Sequence, residues 1–471
     1  MFNLLKLNVF DDKMVKRPKK RGINMDKKLS IKEYIILASM LFGMFFGAGN
    51  LVFPVSMGQQ AGANLWPAII GFCLTGVGIP LLGIAAMGIS RSEGLFDMCC
   101  RIGKPYAYFF TCLLYLAIGP LFAIPRTATV SFSVGIQPVI HADNIALALC
   151  IFSALFFITV LYFSLRPSGI MTWIGKILNP LFLFFLAILA VTALVKPMAP
   201  ISAGEPTGKY VSISFFQGFL EGYNTLDAVA SLVFGIILVN SVRSLGVESP
   251  RGISASVLKA GLLSTLLMAA IYCILTVMGA QSRGVVGISA DGGEALYLIG
   301  SHYFGTLGGV LLGCIVTFAC LKTAIGLVTS CATAFVDLFP GTLSYRGYAI
   351  VFSLFSFGIA NFGLSRIIEL SLPALMFLYP LTITLILLCL FGRLFDYDRR
   401  VFAWVTAFTF VPAVADFINA LPAGAKAAIH ADRIIAAIDW RPRFNIGMSW
   451  VVPSLIGLVI GLALYLKAKK A

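Results

Sequence analysis

Charge is what this 471-residue chain has least of. Only 12% of its residues are Asp, Glu, Lys or Arg, about half the share usual in soluble domains. That scarcity excludes a soluble globular fold, a disordered chain and a coiled coil. Histidine is scarcer still, with three residues, all in predicted loops (His141, His302, His430), so no His-based proton relay is expected. The chain lacks a His/Asp/Glu cluster of metal-ligand spacing, a Gly-x-Ser-x-Gly elbow and a phosphate loop, which leaves a membrane-embedded enzyme unsupported. No ring of like residues suggests a channel pore, and there is no added domain for a sensor. No cofactor is expected.

What is abundant is apolar. Hydrophobic residues make up 59%, with 39 Phe, and 45 Gly are scattered among the apolar runs. Mean hydropathy is +0.94. This mixture fits many helices packed closely in lipid. The ten Cys form no metal spacing with His and read as small hydrophobes. The net charge of +15 does not imply nucleic acid, because most basic residues sit in the N-terminal segment and in short loops.

A crossing helix needs roughly 20 apolar residues. Twelve candidate spans occur at 33–57, 65–89, 106–136, 144–165, 170–195, 213–241, 257–279, 307–336, 346–363, 368–391, 401–421 and 449–467. No strand-period alternation competes, so the fold class is an all-α polytopic membrane protein. With both termini in the cytoplasm, cytoplasmic segments carry 25 Lys and Arg and external segments eight. Arg126 and Lys322 remain inside spans. That bias sets the expected orientation. Residues 1–24 are polar and basic, either a disordered tail or an overlong start with Met25 as initiator. A single membrane domain is expected over 25–471, with a short interfacial helix over 423–438.

Two spans break the rules of membrane helices. The first contains Gly43-Met-Phe-Phe46-Gly47-Ala48-Gly49-Asn50-Leu-Val-Phe-Pro54, where Gly weakens the helix and Pro removes a donor. A small-residue packing seam would not need Asn50. Unwound backbone at this depth survives only where it lines a cavity or is covered by protein. It would offer amides to an anion and carbonyls to a cation. The sixth span contains Glu221-Gly-Tyr-Asn224-Thr-Leu-Asp227 and Ser231-Leu-Val-Phe234-Gly235. Asp227 falls near its middle and should be protonated, paired or near a cation; structural and coupling roles are both open for it. Broken spans one and six, with five spans per half (33–195 and 213–391) and two more at 401–467, match a 5+5 inverted repeat holding its ligand at the midplane.

The chain resembles the bacterial branched-chain amino acid:cation symporters (the LIVCS group) in four stretches. They are Phe46–Pro54, Thr75-Gly-Val-Gly-Ile-Pro-Leu-Leu-Gly83, Gly119-Pro-Leu-Phe-Ala-Ile-Pro-Arg126-Thr-Ala-Thr-Val-Ser-Phe132 and Glu221–Asp227. The resemblance runs from about Met25 to the C-terminus. It implies a LeuT-type fold and uptake of leucine, isoleucine and valine with a cation, Na+ or H+, across a bacterial inner membrane. By that likeness the amides of Ala48 and Gly49 would hold the substrate carboxylate, and Asn50 would touch the carboxylate or a cation. The backbone at Ser231–Gly235 would take the ammonium, and Phe234 would cover the aliphatic side chain. Carbonyls of Gly43 and Phe46 would face a sodium ion completed by the eighth span. There the likeness calls for two hydroxyl residues, and the chain has Lys322-Thr323. Lys322 has three readings: an ammonium in place of sodium, a partner for Asp227, or a snorkelling side chain. With Lys322 replacing sodium, a proton-coupled or exchanging carrier of other neutral amino acids is the alternative. Arg126 is either a structural ion pair or an external gate. The likeness calls for an acid where Ser133 stands, so its partner is open. The oligomeric state is not legible.

Overall fold

A computed structural model describes residues 28–165, 183–431 and 446–470. The 1–24 extension, the start of the fifth span and the end of the 423–438 stretch lie outside these residues. The described residues hold helices and no strand.

The first helix, α1 (Ile31–Phe45), starts at a reciprocal cap. Glu33 donates its amide to the Ser30 hydroxyl at 3.3 Å, and its carboxylate accepts the Ser30 amide at 2.7 Å. After a two-residue gap the first span continues as α2 (Ala48–Ala61). The second span is α3 (Leu65–Cys73) and α4 (Ile79–Ser90), joined through a π-helical turn. A short α5 (Leu95–Cys100) leads to the third span, α6 (Lys104–Leu116) and α7 (Ala123–Gly135). Gly119-Pro120 interrupts that span, because Pro lacks an amide and Gly119 leaves the helical region (φ −103°, ψ −124°). Then come α8 (Ile145–Leu165) and α9 (Leu183–Val195).

The second half begins with α10 (Tyr210–Glu221) and α11 (Asp227–Ser244), again one span in two pieces. It continues with α12 (Pro250–Val286), α13 (Gly292–Leu338), α14 (Tyr345–Ala360) and α15 (Leu364–Phe391). The predicted eighth span opened at 307, whereas α13 opens at Gly292. Asp291 caps it by accepting the Gly293 and Glu294 amides at 2.8 and 3.0 Å, and the rod turns at Gly305 (φ +66°), a position suited to Gly. The chain closes with α16 (Arg399–Ala420), α17 (Ala423–Ala428) and α18 (Val451–Lys470).

Packing sorts these helices into two groups. In one, α1 and α2 lie on α12, while α10 and α11 lie on α3 and α4. In the other, α7, α8, α13 and α14 pack on one another. α16 joins α15 to α18 at the periphery. Backbones approach closely inside the first group. A Cβ on Gly58 would run into the α12 backbone at Thr276, and one on Gly218 would meet Ala68 of α3. Glycine is required at both contacts. The broken spans thus face the second group across a common space.

Candidate functional site

The break in the first span is made by diverted hydrogen bonds. Phe46 and Gly47 leave the helix (Phe46 ψ 99°; Gly47 φ −125°, ψ −164°). The Gly47 amide, which would otherwise close a turn on Gly43, donates to Asn50 Oδ1 at 2.9 Å. Helix α2 then restarts at Ala48. The first amides of any helix have no partner within it and carry the positive end of its dipole. Ala48 and Gly49 are those residues here. Gly49 also sets how near the two breaks come: a Cβ there would lie 3.0 Å from the Phe53 ring and 3.5 Å from the Asn224 carbonyl.

The break in the sixth span corrects an expectation. Ser231–Gly235 is not unwound; it lies inside α11. The interruption is Gly222–Thr225, a 3-10 turn, followed by Leu226 in the left-handed region (φ +64°). Side chains explain the location. Thr225 donates to the Gly222 carbonyl at 2.9 Å and accepts the Asp227 amide at 3.3 Å, which offers the backbone local alternatives to the helix. Ser231–Gly235 has no such substitute. The Ser231 hydroxyl bonds back to Ala228 at 2.6 Å and abuts Gly83, and the backbone there stays in helix.

Asp227 opens α11, so its carboxylate sits at a helix N-terminus, where negative charge is favoured. Asn50 Nδ2 donates to both of its oxygens, at 3.0 and 2.8 Å, and the Tyr272 hydroxyl donates at 2.7 Å. Asn50 Nδ2 also contacts the Tyr272 oxygen. All three side chains are buried. With its oxygen on Gly47 and its nitrogen on Asp227, Asn50 ties the first break to the second. Lys322 is not the partner of Asp227. Among the described residues it makes no hydrogen bond or ion pair, which removes the pairing alternative. Tyr272 was not legible as a site residue, being one of 15 Tyr in an ordinary apolar span.

Arg126 is 2% exposed and forms no contact ion pair among the described residues. Its Nη1 donates to the Asn224 carbonyl at the sixth-span break, and its Nη2 to Ser371 Oγ on α15, both at 2.6 Å. The guanidinium lies 5.1 Å from the centre of the Phe53 ring. Ser133, two turns further along α7, donates to Asp291 at 2.6 Å. An acid at 133 would therefore repel the cap of α13 rather than balance Arg126.

Two cavities follow. The larger, about 500 Å³ of free space counting the part open to solvent, lies between the breaks. Its polar lining includes Ala48, Gly49, Asn50, Thr225, Asp227 and Arg126. Its apolar walls are Met44, Phe45, Ile118, Phe234 and Leu327. Phe234 packs edge-on against Phe45, with ring centres 5.8 Å apart. The smaller cavity is lined by Gly43 and Phe46 from α1 and by Ala319, Lys322 and Thr323 from α13. Thr323 lines both. Of the predicted residues, only Ser231 lies in neither cavity. An apolar chamber with a few convergent polar groups suits a small ligand with one polar end.

A family model described as branched-chain amino acid transport protein matches residues 30–468. This chain belongs to that family. Among the transporter's relatives is the branched-chain amino acid permease BrnQ of Lactobacillus delbrueckii subsp. lactis, 49% identical over 432 residues, 91% of this chain and 96% of the relative. BrnQ of Bacillus subtilis is 41% identical over 437 residues, covering 93% and 98%. Among solved structures, inward-facing Mhp1 matches with a TM-score of 0.62 over 92% of this chain and 91% of its own, at 15% identity. MhsT in complex with L-phenylalanine matches at 0.55 over 94% and 100%, also at 15% identity. These two likenesses bear on the fold alone, and they make the transporter's fold LeuT-type.

Proposed function

We propose that this protein imports leucine, isoleucine and valine across the bacterial inner membrane by cation-coupled alternating access. One observation carries the reading. A half-helix N-terminus with unpaired amides opens into a chamber whose remaining walls are largely aliphatic and aromatic. The carboxylate goes to the Ala48 and Gly49 amides. The aliphatic side chain goes against Phe45, Phe234 and Ile118. The ammonium lies near the second break, on Thr225 and Asp227. A wall of apolar groups separates substrates differing by a methylene by only about 1–3 kcal/mol, so the three amino acids should compete.

The architecture behind this reading has twelve spans, ten of them in a 5+5 inverted repeat, with both termini in the cytoplasm. The packing supports it: α1 and α2 meet α12 as α10 and α11 meet α3 and α4. Transport then consists of the group containing α1 to α4 and α10 to α12 rocking against α7, α8, α13 and α14. The cavity between them is exposed to one side at a time.

The coupling ion has a second reading with its own observation. Lys322 lines the smaller cavity beside Gly43, Phe46 and Thr323. Its ammonium is a monovalent cation covalently fixed where a mobile one would sit. In that reading the carrier is proton-coupled or exchanges neutral amino acids, and sodium is dispensable. The test is leucine uptake into proteoliposomes with sodium replaced by choline, across a range of pH. Saturable uptake competed by isoleucine and valine is expected. Absence of leucine uptake under every ion gradient overturns the reading.

A further inference from the structure

Arg126 is the larger cavity's cationic group and makes no contact ion pair among the described residues. It stands on the first turns of α7, just beyond the Gly119-Pro120 interruption, and it lines the same chamber as Ala48 and Gly49. Its side chain is buried, yet both of its bonded partners, the Asn224 carbonyl and Ser371 Oγ, are uncharged. Its Nε–H is buried with no partner. A buried cation is strongly destabilising until a negative group reaches it. Two carboxylates lie in this region, and each is engaged elsewhere. Asp227 accepts from Asn50 and Tyr272. Glu221 accepts from Asn224 Nδ2 at 3.2 Å and attracts Arg126 through space, with no contact ion pair between them among the described residues. Lys322, the other cation inside a span, lines the other cavity.

We propose that Arg126 binds the substrate carboxylate directly, so that this group is shared between the α2 amides and the guanidinium that lines the chamber with them. The inference rests on the reading of the chamber as an amino-acid site, and it deepens it. The negative pole of the ligand then contributes strongly to binding, because a neutral ligand leaves the guanidinium without an anion in contact. It also makes the carboxylate a link between groups. Arg126 belongs to the helices around α13, whereas Ala48 and Gly49 belong to those around α12. Binding therefore bridges the two bodies that must move relative to one another. The Nη1 bond to Asn224 carries the same event to the sixth-span break.

The experiment uses the purified full chain and two competitors of radiolabelled leucine binding. These are unlabelled L-leucine and L-leucinamide, in which a neutral amide replaces the carboxylate. The wild type should strongly prefer leucine. In Arg126→Gln leucine should weaken roughly 30-fold or more, the scale for truncating one member of a buried charge pair. Leucinamide should weaken far less, so the leucine-to-leucinamide ratio falls. Ser371→Ala keeps the charge and should preserve the ratio within about threefold. Equal weakening of both ligands in Arg126→Gln would assign Arg126 a merely structural role and overturn the inference. If Arg126→Gln does not fold, Arg126→Lys decides. The shorter ammonium lacks the planar fork, and the ratio should fall at least about fivefold; an unchanged ratio overturns the inference. Failure of the wild type to bind leucine at all would instead overturn the amino-acid reading of the chamber.

Discussion

Removing a single oxygen atom from α12 should loosen both breaks at once. Tyr272→Phe keeps the ring, which packs edge-on against Phe72 with centres 5.1 Å apart. It deletes the 2.7 Å hydrogen bond to Asp227. Hydrogen bonds to charged groups contribute about 1.5–3 kcal/mol. If that were realised entirely in ligand binding, it would be roughly a 10- to 150-fold change in dissociation constant. Only part will appear there, because the bond also supports the unliganded fold. The clean quantity is the coupling between Tyr272→Phe and Asp227→Asn. With the charge gone the hydroxyl has little left to stabilise, so the double variant should be less damaged than the sum of the singles. A non-additivity of about 1 kcal/mol or more is expected, read from leucine dissociation constants and from thermal midpoints of the purified protein. Additivity within about 0.5 kcal/mol in both readouts would refute the claim that Tyr272 acts through the Asp227 carboxylate.

Three other outcomes follow from the same geometry. Gly49→Leu should abolish leucine uptake while the protein still inserts, because even its Cβ would crowd Phe53 at 3.0 Å; normal uptake would remove the carboxylate cradle from Gly49. Lys322→Thr restores two adjacent hydroxyl residues beside Gly43 and Phe46. It should confer sodium dependence on uptake in proteoliposomes, and identical ion dependence would eliminate ammonium substitution. Ser231→Ala should leave the apparent affinity for leucine within about twofold, since the hydroxyl serves only its own helix turn. A loss of tenfold or more would put Ser231 back in the substrate site.

The sequence was legible wherever a residue conflicts with membrane helix. Gly, Asn and Pro crowded into Gly43–Pro54 located the first break, and the helix does stop at Phe46–Gly47. The same logic identified Asp227 and Arg126 as inside spans, and both line the larger cavity. It placed the second break too late. Likeness of Ser231–Gly235 to a motif outweighed the local hydrogen-bonding capacity of the Asn224 and Thr225 side chains. Reading those side chains as competitors for the backbone would have placed it correctly. Tyr272 and Ser371 were out of reach for another reason. Each is an unremarked polar residue on an apolar helix, and only the fold brings it to a charged partner far along the chain. The partner of Arg126 was hidden similarly, because a backbone carbonyl freed by a helix break leaves no mark in residue identity.

The most direct measurement is an experimental structure of the full-length protein in a lipid nanodisc with leucine bound. The predicted result is ligand density between the Phe46–Gly47 and Gly222–Leu226 interruptions, with its carboxylate at Ala48, Gly49 and Arg126 and its side chain toward Phe234. Leucine seated elsewhere, with this chamber collapsed and both rods running unbroken, would contradict the account.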